Sequence, residues 1–161
     1  MRITGGKARG ISLISTQDKL LRPATDYLRK ALFSSLAAWM KDKIFLDLFS
    51  GTGSYGLEAL SHGAQSGVFV EKNRELVDIL RMNIASVTKS LGKQATLCKI
   101  IHQSVWNFKL SEEWKFDVIF LDPPFSLSRT KAEVLLSHAL SFLRQGDGKI
   151  CFELPADFKA P

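Results

Sequence analysis

The stretch Ile44-Phe45-Leu46-Asp47-Leu48-Phe49-Ser50-Gly51-Thr52-Gly53-Ser54-Tyr55-Gly56 decides the fold. Its first six residues form an apolar run with a single acid and read as a buried strand. The run ends in a glycine loop, and a helix pattern starts at Ser54 and continues to His62, closed by Gly63. Gly51, Gly53 and Gly56 match G-x-G-x-x-G. Glycines at these positions let the backbone turn sharply and approach a ligand closely, while the helix behind them presents free N–H groups. Glu71 lies 20 residues beyond Gly51, where an acid can meet a ribose hydroxyl pair.

Outward from this stretch the pattern repeats. Gly67–Val70 reads as a second strand, Arg74–Val87 as a helix with Leu76, Ile79, Leu80, Ile84 and Val87 on one side, and Ala95–Ile101 as a third strand. Ser104–Phe108 reads as a short helix or turn, Phe116–Leu121 as strand four, Lys131–Leu143 as a helix and Lys149–Leu154 as strand five. Continuous apolar strands alternating with amphipathic helices predict an α/β fold, a mostly parallel sheet with helices on both faces. Upstream, Arg2–Thr4 and Ile11–Ile14 flank a glycine turn and predict a β-hairpin. Leu28, Leu32, Phe33, Leu36 and Trp39 recur at helical spacing after Pro23.

The charge divides the chain. Residues 1–43 carry nine Lys/Arg and three acids, and residues 44–161 carry 13 of each, so the whole excess of six lies in the first quarter. A basic segment (1–43) joined to a neutral domain (44–161) predicts a polyanion-binding surface, with Arg2, Lys7, Arg9, Arg22 and Arg29 as candidate nucleic-acid contacts. No apolar run reaches 18 residues, and Met1-Arg2-Ile3-Thr4-Gly5-Gly6 has no apolar signal core, so the expectation is a cytoplasmic protein with no membrane partner. Cys98 and Cys151 read as reduced core thiols. His62, His102 and His138 are scattered, and no metal is expected.

Three acids narrow the chemistry of the glycine loop. Asp47, four residues before Gly51, would repel a pyrophosphate and suit a ligand carrying a sulfonium and an amino group. Asp47, Glu71 and Asp122 all stand at carboxyl ends of predicted strands, where open α/β sheets bind ligands. Strand four runs directly into Asp122-Pro123-Pro124-Phe125. Two prolines stiffen that loop into an extended acceptor array. Asp122 and the Pro123 carbonyl can take the two N–H bonds of a planar amino group, and Phe125 can stack on a base for about 1–3 kcal/mol. Such a loop works by positioning a nitrogen toward a methyl donor. The glycine loop alone also permits a dinucleotide-dependent oxidoreductase, which leaves Asp122–Phe125 without a role.

At these residues the chain resembles class I methyltransferases of the D/N-P-P-Y/F amino-methylating type. Arg2-Ile3-Thr4-Gly5-Gly6, Leu21-Arg22-Pro23-Ala24-Thr25-Asp26 and Leu32-Phe33 resemble, further, the bacterial 16S rRNA guanine-N2 methyltransferase family of the RsmD type. That resemblance implies a Rossmann-like sheet of order 3-2-1-4-5, S-adenosylmethionine as cofactor, and a guanine of the small ribosomal subunit or its assembly intermediate as target. It implies that Asp47, Ser50, Gly51, Thr52, Gly53, Glu71, Lys72, Ser104, Val105 and Asp122 hold the donor, while Asp122, Pro123, Pro124 and Phe125 hold the base. Ala24, Tyr27 and Gln103-Ser104 depart from the family pattern. The family's strand pair after strand five is missing, which would leave strand five as a sheet edge. Adenine-N6 or cytosine-N4 methylation, or a catalytically silent RNA-binding module, are the alternatives.

Overall fold

The computed structural model describes residues 1–15, 23–110, 114–155 and 158, with 23–25 as backbone only; Arg22 lies outside them. Five strands, β1 (Ile44–Leu48), β2 (Ser66–Glu71), β3 (Cys98–His102), β4 (Val118–Leu121) and β5 (Lys149–Phe152), form one parallel sheet of order β3-β2-β1-β4-β5. This is the expected class and order. The direction of strand addition reverses between β1 and β4, so a crevice opens above their carboxyl ends.

Alternation along the strands builds two cores. Phe45, Phe69, Val118 and Phe120 point to one face and pack against Leu57 and Leu60 of α2 (Ser54–Ser61) and Leu80, Ile84 and Val87 of α3 (Arg74–Ser90). Leu46, Leu48, Val68, Val70, Ile119 and Leu121 point the other way, onto Val105, Phe108, Phe142 and Ala139 of α4 (Phe125–Leu140). Phe45 and Phe69 meet edge to face at 5.2 Å, directly beneath α2. A Cβ on Gly56 would strike both rings, so the third glycine of the loop serves close helix–sheet packing.

α3 starts where its sequence says it should. Asn73 Oδ1 accepts from the Glu75 and Leu76 amides at 2.9 and 3.2 Å, and Glu75 sits in the first turn. α4 differs from expectation. It begins at Phe125, six residues early, with Pro124 as its cap and a break at Lys131 (φ −132°). The helical period shows only beyond that break, which hid the first turn. Strand three starts at Cys98, because Ala95–Leu97 coil into a single 3₁₀ turn.

The basic N-terminal part shares the first core: Ile3, Ala8, Leu13, Phe33, Leu36 and Met40 are buried with Phe45, Leu57 and Phe69. The hairpin is minimal, one antiparallel bridge between Arg2 and Ser12 supported by Ile3 N–H donating to Ile11 O at 2.9 Å. Its hold comes from α2. Thr4 N–H donates to Glu58 Oε1 at 2.6 Å, Ala8 N–H to Ser61 Oγ at 2.9 Å, and Lys7 N–H to Ser61 O at 2.8 Å. Arg29 of α1 (Pro23–Leu36) closes the network: its Nε donates to Glu58 Oε1 at 3.2 Å and its Nη2 to Asp26 Oδ1 at 2.8 Å and to Arg2 O at 3.0 Å. Arg29 is therefore not an RNA contact. It is 2% exposed, and its charge is spent on holding the hairpin. Breaking a buried pair leaves one charge uncompensated, so Arg29→Ala or Glu58→Ala should each lower unfolding free energy by about 3–5 kcal/mol in urea titrations, far beyond the effect of Lys7→Ala.

Candidate active site

Above the carboxyl ends of β1, β2 and β4 lies a cavity of about 540 Å³. Its wall includes Gly51, Glu71, Lys72, Ser104, Val105, Asp122, Pro123, Pro124 and Phe125, so nine of the residues expected from the sequence meet in one place. The wall also includes Gln103, noted above as a departure from the family pattern, and Phe49, Leu76, Trp106 and Glu153, which the sequence reading gave no role in the site.

The Glu71 carboxylate is fixed from two sides. Oε2 accepts from Gly51 N–H at 2.9 Å and Oε1 from Asn73 N–H at 2.8 Å. The loop beside it is held in left-handed backbone: Phe49 has φ 63°, Gly51 φ 55° and Gly53 φ 91°. For a phenylalanine that conformation costs of order 1–3 kcal/mol and marks a segment constrained by its surroundings. A Cβ on Gly51 would meet nothing within 4 Å, so that glycine presents its open side to the cavity, whereas a Cβ on Gly53 would run into Leu80.

Four residues expected on the ligand, Asp47, Ser50, Thr52 and Gly53, are not part of the cavity wall. Asp47 is 1% exposed and is absent from the cavity wall. Its Oδ2 accepts from Gly56 N–H at 3.0 Å, the third amide of α2, so it caps that helix from the neighbouring strand. The period of two decides this: Asp47 follows Phe45 onto the helix side of the sheet. Ser50 Oγ donates to Asp47 O at 2.6 Å and Val70 O at 3.2 Å, tying β1 to β2. Thr52 O accepts from Asn83 Nδ2 at 2.9 Å. Asn83, buried on α3, also exchanges bonds with Ile14 N–H and O at 2.8 and 2.9 Å. The N-terminal segment and the glycine loop thus share one amide.

The far wall is acidic. Desolvation by the cavity walls and the adjacent Glu153 charge raise the Asp122 carboxyl to about 7, although the residue keeps a solvent-exposed side. Burial raises Asp47 to about 8, against the helix amide, with Asp122 and Glu71 adding to the rise. Both folded-state values lie above the ordinary 3.8, so the two groups stabilise the fold when protonated, and that contribution is lost as pH rises through about 7–8. Among the described residues that line the cavity only Lys72 is basic, against Glu71, Asp122 and Glu153. This suits a cationic ligand and opposes a pyrophosphate.

The fold and the site together define a Rossmann-like class I methyltransferase. The chain belongs to the family described as Conserved hypothetical protein 95, whose model matches residues 1–159, and it is an RsmD-type member. It is 33% identical to ribosomal RNA small subunit methyltransferase D of Haemophilus influenzae over 84% of this chain and 69% of that protein. It is 34% identical to the Escherichia coli protein of the same name over 78% of this chain and 60% of that one. The solved Escherichia coli protein yhhF, described as a methyltransferase, superposes at TM-score 0.83 with 30% identity, covering all of this chain and 84% of that one.

Among the described residues no three His, Cys, Asp or Glu side chains gather as a metal site, and no helix is long and apolar enough to cross a membrane. Replacing Asp47 by Asn keeps an acceptor for Gly56 and removes the buried charge. In thermal melts between about pH 5 and pH 9, Asp47→Asn should show a smaller loss of midpoint with rising pH than the unsubstituted chain; an equal loss would place the titrating group elsewhere.

Proposed function

We propose that this protein transfers a methyl group from S-adenosylmethionine to the exocyclic N2 amine of a guanine in 16S rRNA of the small ribosomal subunit. The observation that carries the reading is the stiff Asp122-Pro123-Pro124-Phe125 mouth facing the amide-held Glu71 across one cavity.

The residues present fit the donor. Glu71 accepts from ribose hydroxyls while its own orientation is held by Gly51 and Asn73. Leu76, Val105 and Trp106 give a flat ring apolar walls, and Gln103 and Ser104 add polar atoms at its edge. Gly51 lets the backbone approach the amino-acid part, and the acidic wall favours its positive charge. When bound, the sulfonium supplies an electrophilic methyl group.

The chain's own contribution to the transfer is orientation. Asp122 and the Pro123 carbonyl accept the two N–H bonds of the amine, which turns the nitrogen lone pair toward the donor side. Phe125, at the first turn of α4 and 39% exposed, offers its ring to the base face. Asp122 accepts well only when ionised, so turnover should rise with pH through about 7, the value its desolvation sets. The target base must leave its stack to reach this depth, and the loop's stiffness spares it any rearrangement on arrival.

The RNA grip belongs to the N-terminal segment. Arg2, Lys7 and Arg9 are exposed on the hairpin that Glu58 and Ser61 hold. Arg2 and Arg9 share a cleft of about 350 Å³ with Lys30 and the 73%-exposed ring of Tyr27. These groups are placed to meet phosphates and an unpaired base.

The test is label transfer from methyl-labelled S-adenosylmethionine to undermodified small subunits, naked 16S rRNA and DNA, with the labelled nucleoside identified. N2-methylguanosine is the expected product, and N6-methyladenosine or N4-methylcytidine would overturn the reading. Asp122→Ala should reduce turnover at least about 100-fold while leaving donor affinity within about threefold, the signature of lost positioning. Lys7→Glu combined with Arg9→Glu should weaken RNA binding and flatten its salt dependence by about one unit of slope per lost phosphate contact.

A further inference from the structure

Glu153 stands at a junction. It follows β5 directly, and its N–H donates to Leu121 O at 2.8 Å, continuing the β4–β5 ladder one step past the Leu121–Phe152 pair. That register puts Glu153 beside Asp122 on adjacent parallel strands. Glu153 lines the donor cavity and also a second cavity of about 290 Å³ walled by Leu28, Leu32, Tyr55, Phe152 and Leu154. The Tyr55 hydroxyl donates to Glu153 Oε2 at 2.6 Å. Tyr55 is itself stacked on Phe120 at 5.7 Å, so this donor is anchored in the core. Burial and the facing carboxylate push the Tyr55 phenol well above its ordinary range, so it stays protonated and donating.

One carboxylate in this mouth is enough to hold an amine. A second, fixed beside it with its remaining oxygen uncommitted by Tyr55, asks for another donor next to that amine. The bases differ at that point. Guanine presents an N1–H donor adjacent to its N2 amine, whereas adenine and cytosine present a lone pair adjacent to their amino groups. A lone pair pointed at a carboxylate is repelled; an N–H is bound.

We propose that Glu153 is a specificity-determining residue that accepts the N1–H of the target guanine while Asp122 and Pro123 hold its N2 amine, with Tyr55 as the positioning residue that fixes the Glu153 carboxylate. This rests on the guanine reading above and adds the group that enforces it. The two carboxylates are then complementary to one base edge and mismatched to the others. Glu153 also raises Asp122, so its removal has a second consequence: Asp122 ionises at lower pH.

The probe is an RNA fragment carrying the methylated position as guanosine or as 2-aminopurine riboside, which keeps the N2 amine and replaces N1–H by a lone pair. The unsubstituted protein should prefer guanosine by about 10–100-fold in kcat/KM, the worth of one charge-assisted hydrogen bond. Glu153→Gln can donate its amide to the lone pair. It should lose activity on guanosine, gain relative activity on 2-aminopurine, and move the acid limb of the pH profile downward. Tyr55→Phe leaves the carboxylate in place but loosens it, and should lower the guanosine preference by a few-fold. An unchanged preference in Glu153→Gln overturns the proposal, and if that variant does not fold, an unchanged preference in Tyr55→Phe does. Failure of the underlying reading looks different: the unsubstituted protein would then label a nucleoside other than N2-methylguanosine.

Discussion

The buried Arg29–Glu58 pair is the contact on which the rest of the molecule depends. Glu58 is fully buried on α2, two residues after the third glycine of the loop that opens that helix. It accepts from the hairpin amide of Thr4 and from the Arg29 guanidinium of α1. One carboxylate therefore joins the basic extension, the first helix and the helix that begins at the donor loop. Isolated in that core it would be costly, and with both partners in place it fixes their mutual register. Asn83 makes a second tie from α3, joining Ile14 to the carbonyl of Thr52. The surface proposed to grip RNA and the loop proposed to hold the donor are thus tied together through α2 and α3.

The site inherits its geometry from the sheet. Strand order reverses between β1 and β4, and the cavity sits above that reversal. Alternate residues point to opposite faces, so Asp47 and Ser50 work beneath the loop while Glu71 and Asp122 stand at the strand ends. The loop is held by amides donating to buried acids: Gly56 to Asp47 and Gly51 to Glu71. Desolvation without a matching cation leaves the buried Asp47 and the cavity-lining Asp122 above ordinary carboxylates.

Much of the architecture was legible along the chain. The apolar runs at Ile44, Gly67 and Phe116 and the glycines at 51, 53 and 56 placed the strands and the loop. The Asp-Pro-Pro-Phe tetrapeptide marked the mouth, and the structure brings it opposite Glu71. The errors have one cause. Arg29 reads as surface charge because its partner Glu58 lies 29 residues away, and nothing in either neighbourhood announces the pairing. Tyr55 and Glu153 meet across 98 residues, and Phe125 joins a helix whose period is interrupted at Lys131.

The sequence by itself determined the class of fold and the positions of the glycine loop and of the proline-stiffened Asp122–Phe125 loop. These follow from local rules: alternation of apolar residues, backbone freedom at glycine and its loss at proline. Tertiary structure alone decided which charges are available. Arg2, Lys7 and Arg9 stay at the surface while Arg29 is consumed inside, and Asp47 is withdrawn from the cavity while Glu153 is brought into it. Burial and charge pairing depend on partners supplied by distant strands and helices, and no local pattern encodes them.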